Sequence, residues 1–126
     1  MTFVKSFKAA FQGLKIVWDE ERNFRVQSCV CVVVLVAMFL MPLRMWERVA
    51  VTMCVVAVLV LEIVNSVIER FVDMVTPRLH NYARVIKDLA AAAVLLVSFA
   101  ALLIGLFIFI PYLHTFVIQY VHEIFS

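Results

Sequence analysis

The run LAAAAVLLVSFAALLIGLFIFIP, which closes on Pro111, contains no charged side chain. Surrounded by lipid, such a segment has to be helical, because each backbone N–H and C=O must find its partner within the segment. At 1.5 Å per residue it covers the roughly 30 Å of a bilayer's hydrocarbon. It belongs to the last of three apolar spans, 28–43, 50–75 and 83–111, the first of which reaches that length by borrowing a few flanking residues. The composition agrees, since 66% of the 126 residues are hydrophobic and 16% are charged, more apolar surface than so short a water-soluble chain could bury. Two glycines and three prolines leave no room for a flexible linker. The expected fold is all-α, a single integral membrane unit: a surface helix and polar loop over 1–27, three transmembrane helices within 28–111, and an interfacial tail, read as a short surface helix, over 112–126.

Several function classes drop out at once. A net charge of +2 is too small for a nucleic-acid surface. Cys29 and Cys31 point to different sides of a helix and Cys54 stands alone, so neither a disulfide framework nor a zinc site is expected. His114 and His122 could share a face but lack a third ligand. A cleavable leader is not expected either, because no small-x-small site follows the first apolar run.

The N-terminal stretch FVKSFKAAFQGLKIVW puts Phe3, Phe7, Ala10, Phe11, Leu14 and Trp18 on one side, the pattern of an amphipathic helix lying on a membrane. DEERNFR follows, where the chain must turn into the bilayer. Three crossings place the termini on opposite sides. Of the eleven Lys and Arg residues, only Arg44 and Arg48 lie in the turn MPLRMWER. Lys5, Lys8, Lys15, Arg22, Arg25, Arg70, Arg78, Arg84 and Lys87 lie on the N-terminal side, so the positive-inside rule makes the N-terminus cytoplasmic and the C-terminus external.

Against this apolar background LEIVNSVIERFVDM stands out. At about 100° per residue, Asn65, Glu69 and Asp73 fall within roughly 60° of Glu62, with Ser66 at the edge of the stripe. Ile63, Val67, Ile68 and Phe71 take the other side. The stripe runs about 16 Å from inside the membrane to its cytoplasmic surface. A carboxylate at mid-membrane costs at least about 2.5 kcal/mol, so these groups need partners. Arg25, Arg70, Arg84, Lys87 and the lysines of the surface helix are the available cations. A divalent metal is the other candidate, since Glu21, Glu69 and Asn65 offer hard oxygens of the kind that hold magnesium together with substrate phosphates. A solvated helix end accounts equally well for Asp73, Arg70 and Arg78, but not for the deeper Glu62 and Glu69. A pore would continue its polar stripe across the membrane, whereas upstream of Glu62 the same face carries Val58, Val55 and Val51. That favours a one-sided site over a channel.

The segments SFKAAFQGLKIVW, ERNFR, LEIVNSVIERFVD and IKDLAAAAVLL, in this order, resemble the small bacterial membrane-embedded lipid kinases, the diacylglycerol and undecaprenol kinases. The resemblance covers nearly the whole chain up to Pro111, and its Glu-x-x-Asn-x-x-x-Glu-x-x-x-Asp string with a downstream Lys-Asp is highly specific. It implies a homotrimer in the bacterial inner membrane with ATP as co-substrate, Mg2+ as cofactor and a lipid alcohol as acceptor. The active sites would lie at the cytoplasmic interface, between protomers. By the resemblance, Glu62 matches the proposed general base, and Glu21 and Glu69 match the pair that holds magnesium. Asn65, Lys87 and Asp88 match polar residues around the nucleotide, Lys87 being suited to neutralising phosphate. Asp73 matches a family position of unassigned role, and Lys5 and Gly13 fit a nucleotide-facing surface helix. The absence of a G-x-x-x-x-G-K-[ST] loop is consistent with a kinase unrelated to soluble ones.

Two positions depart from the pattern. Gln27 stands where diacylglycerol kinases usually have Glu and undecaprenol kinases His, and Ala90 to Ala93 occupy a stretch where family members include a Gly. ERNFR and the ending IGLFIFIP look more like undecaprenol kinases, with diacylglycerol as the alternative substrate. The charge pattern yields a first test: a reporter fused after Ser126 is expected to read as non-cytoplasmic, and a cytoplasmic reading there would reverse the orientation.

Overall fold

A computed structural model describes residues 2–76 and 80–126, the side chain of His80 excepted. Arg78, one of the basic residues in the charge argument, lies outside the described residues. Among those described there is no strand. The elements are α1 (Phe3–Glu20), α2 (Arg22–Leu40), α3 (Met45–Val75) and α4 (His80–Phe125). The last three are each long and apolar enough to cross a membrane.

The boundaries differ most from the expected ones at three places. α2 begins at Arg22, not at residue 28, so the polar stretch is no loop: a single extended residue, Glu21, separates it from α1. α3 begins at Met45, because the Glu47 carboxylate accepts the Arg44 backbone N–H at 2.9 Å and so satisfies a donor at the helix start. α4 does not end at Pro111, which lies inside the helix. Residues 112–125 therefore continue the third spanning helix and do not form a separate short one. Proline removes one N–H from the ladder, a loss that a long apolar helix tolerates.

α3 packs against both α2 and α4 and is the centre of the bundle, whereas α1 touches chiefly α2. At one end of α3, Glu47 accepts from the Tyr112 hydroxyl of α4. At the other, Asp73 pairs with Lys87 of α4 at 2.6 Å. The two ties lie nearly the same number of residues apart on each helix, which fixes the antiparallel register without slippage. The apolar core of Met38, Leu43, Val51 and Ile108 lies at the Glu47 end, ringed by Val34, Leu35 and Phe109. Elsewhere most large apolar side chains face outward, as on a surface that lipid covers. On α1, Phe3, Phe7 and Phe11 are exposed.

Ile108 is only 2% exposed, and Ile108→Ala is expected to destabilise the protein in mixed micelles by about 2 kcal/mol. That is the lower end of the range for water-soluble cores, because lipid or detergent solvates the side chain once the helices separate. Unfolding midpoints equal to wild type would contradict the packing described.

Candidate functional site

The site grows from the one-residue break between α1 and α2. Arg25, one turn into α2, folds back so that its Nη1 donates to the carbonyls of Trp18 and Asp19 at 2.8 and 2.9 Å. These carbonyls belong to the last turn of α1, which has no intrahelical donors for them, and a cation there also complements the helix dipole. The expected role of Arg25 as a partner for a carboxylate is thus replaced by a cap on α1.

Held in this way, the joint presents Glu20 and Glu21 to α3. Ser66 donates its hydroxyl to Glu21 Oε1 at 3.1 Å, and Arg70 pairs with Glu20. Glu62 lies one turn before Ser66, 9% exposed, within electrostatic reach of both Glu21 and Glu69. Asn65 donates through Nδ2 to Glu69 Oε1 at 3.1 Å. Glu21, held at Ser66, thus stands between Glu62 and Glu69, which lie on the same side of α3 about one turn below and one turn above it. A turn further along, Lys87 is engaged with Asp73, which gives Asp73 a partner that the sequence did not assign.

The remaining expected site residues are not drawn in. Among the described residues Lys5 makes no side-chain hydrogen bond, and its backbone N–H donates to the Thr2 hydroxyl at the start of α1. A Cβ at Gly13 would meet nothing within 4 Å. Asp88 is exposed. Sequence reasoning gave Ser66 only the edge of the stripe and left Glu20 without a role. Its signal for Ser66 was the one-turn spacing from Glu62 and from Arg70.

No set of three His, Cys, Asp or Glu side chains among the described residues forms a ready-made metal cage. Magnesium needs none, since it keeps waters and substrate phosphates and takes only one or two carboxylates from the protein. One observation fits such an ion. Asn65 Oδ1 is buried without a hydrogen-bond partner among the described residues, a hard oxygen next to the amide nitrogen that bonds Glu69, and buried polar atoms of this kind call for a ligand or water.

Beyond Glu62 the same face of α3 becomes apolar. Val58, Val55 and Val51 line a cavity of about 350 Å³ between α2, α3 and α4, with Gln27 and Ser98 its hydrogen-bonding side chains. The polar groove thus stops at Glu62 and an apolar chamber begins.

The profile of the prokaryotic diacylglycerol kinase family matches residues 8–109. The chain belongs to this family. It is 35% identical to the undecaprenol kinase of Bacillus subtilis over 109 residues, which cover 86% of this chain and 89% of that protein. It is 30% identical to the diacylglycerol kinase of Escherichia coli K12 over 104 residues, 80% of this chain and 85% of that one. With the Helicobacter pylori 26695 diacylglycerol kinase it shares 35% identity over 100 residues, 75% of this chain and 76% of the relative. The matched region includes α1 from Lys8, the joint, all of α2 and α3, and α4 almost to Pro111.

If Glu21 and Glu69 are the carboxylates that hold magnesium on the nucleotide, Glu21→Gln and Glu69→Gln should each raise the magnesium concentration needed for half-maximal activity and also slow turnover. Unaltered magnesium dependence in both folded variants would reject the pair.

Proposed function

We propose that this lipid kinase transfers the γ-phosphoryl group of ATP to the hydroxyl of a membrane lipid alcohol, undecaprenol by preference, with diacylglycerol as the alternative. The observation that carries the reading is the position of Glu62. It is a buried carboxylate at the boundary between the polar groove of Glu21, Asn65 and Glu69 and the apolar chamber along Val58, Val55 and Val51. An amphiphilic acceptor needs this combination, with its hydroxyl at the polar end and its hydrocarbon in the apolar one.

In this mechanism Glu62 accepts the hydroxyl proton while the lipid oxygen bonds to the γ-phosphorus. The bond from that phosphorus to the β,γ-bridging oxygen breaks, and ADP leaves. Glu21, Glu69 and Asn65 Oδ1 would hold magnesium, which supplies charge neutralisation to the phosphates when bound. The protein's own task is mainly positioning, as in phosphoryl transfer generally. Burial of Glu62 excludes water that would otherwise compete with the lipid hydroxyl.

The same reading places the site on the cytoplasmic side of the bacterial inner membrane, with the N-terminus inside and the C-terminus outside, in a homotrimer. The charge distribution supports the orientation. The broad exposed apolar faces of α2, α3 and α4 leave room for helix contacts with other protomers. The preference for undecaprenol is supported by the ERNFR form and by the identity with the Bacillus subtilis relative, while Gln27 in the chamber wall matches the usual residue of neither acceptor class and does not bear on the choice.

The test is phosphorylation by purified protein in mixed micelles containing Mg-ATP and either undecaprenol or diacylglycerol, with Glu62→Gln alongside. Wild type should prefer undecaprenol. Glu62→Gln should fold and bind Mg-ATP, because a neutral isostere removes a buried charge, yet lose activity by about 10²-fold or more, the usual contribution of a general base. Near-normal turnover by the folded variant would remove Glu62 from the mechanism.

A further inference from the structure

The two carboxylates of the α1–α2 joint are held by side chains one helical turn apart on α3, and these are linked to each other. Arg70 Nε donates to Ser66 Oγ at 3.4 Å, Ser66 donates to Glu21 Oε1 at 3.1 Å, and Arg70 Nη2 bonds Glu20 Oε2. A serine inside a helix ordinarily turns its hydroxyl back to the carbonyl four residues earlier, here that of Glu62. A hydroxyl has one proton and two acceptor sites. With Arg70 Nε on the acceptor side of Ser66 Oγ, the single proton is directed across to α1 and α2, onto Glu21.

Glu21 needs such a constraint. Its backbone, at φ −108° and ψ 105°, belongs to neither helix, so no regular structure fixes where its side chain points. One guanidinium therefore grips the joint twice, directly at Glu20 and through Ser66 at Glu21, and its charge also acts on Glu21. The Arg70 and Glu20 side chains are 46% and 56% exposed. An ion pair so exposed adds little to stability, which leaves orientation as the effect it can have.

We propose that Arg70 is a positioning residue which, through Ser66 and Glu20, holds Glu21 in the orientation from which it takes the metal carried by the nucleotide. The proposal rests on the reading of Glu21 as a metal-holding carboxylate. Residues that orient a metal's ligands typically alter affinity 10- to 100-fold when removed, far more than the stability of an exposed pair would suggest.

The experiment measures binding of Mn2+ by electron paramagnetic resonance, on the full chain in mixed micelles with the β,γ-imido analogue of ATP. Wild type is compared with Glu21→Gln, Ser66→Ala, Arg70→Ala, Arg70→Lys and the Ser66→Ala/Arg70→Ala double variant. Ser66→Ala and Arg70→Ala should each weaken Mn2+ binding about tenfold or more. The double variant should be no weaker than the worse single one, because both act along one path. Arg70→Lys keeps the charge without the planar fork and should recover only part of the loss. If Glu21→Gln weakens binding while Ser66→Ala and Arg70→Ala match wild type, the positioning role falls and the metal role of Glu21 stands. Wild-type binding by Glu21→Gln removes both. Additive losses in the double variant, or full recovery by Arg70→Lys, would show that Arg70 acts by charge alone and would also overturn the proposal.

Discussion

The candidate site is tied together by one hydrogen bond between the joint and α3, from Ser66 to Glu21, with the Arg70–Glu20 pair beside it. Without it, the carboxylates of α3 would form a stripe along a single helix, with none from another element beside them. The bond brings a carboxylate from a distant part of the sequence to a place between Glu62 and Glu69. Next to it, Arg25 caps the last carbonyls of α1 at the extended residue Glu21.

The bundle otherwise divides its interactions by environment. In lipid, apolar surface gains little by being hidden, so helices are registered by polar ties and close packing. α3 and α4 follow this pattern, with the Asp73–Lys87 pair at one end and the Glu47–Tyr112 bond at the other. The compact apolar core gathers near the second tie. The middle of the bundle is left with space between helices, in the chamber bounded by α2, α3 and α4.

Much of this was legible in the chain. The three apolar helices follow from the length of the uncharged runs, and the stripe from Glu62 to Asp73 follows from helical periodicity alone. The resemblance carried by LEIVNSVIERFVD and its downstream Lys-Asp indicated the family that the profile match establishes. The boundaries were less legible. A charged first turn such as that of Arg22 and Arg25 reads as loop because the hydropathy signal starts later. Pro111 reads as a stop because proline ends most helices in water, yet α4 passes through it. Which cation meets which carboxylate could not be read either, since it depends on how the three-dimensional fold brings α1, α3 and α4 together: Arg70 meets Glu20, while Arg25 meets two carbonyls.

Pro111 also divides α4 mechanically. The proline leaves the carbonyl of Phe107 without its usual donor, so the helix is softest there. The next residue, Tyr112, is anchored to Glu47, while residues 113–126 are exposed along their whole length. At 1.5 Å per residue this last stretch forms a lever of roughly 20 Å. A force applied to the lever meets the soft point and the anchor together, and is taken up at the Glu47 end of α3. The carboxylates near Ser66 stand about five turns further along that same helix.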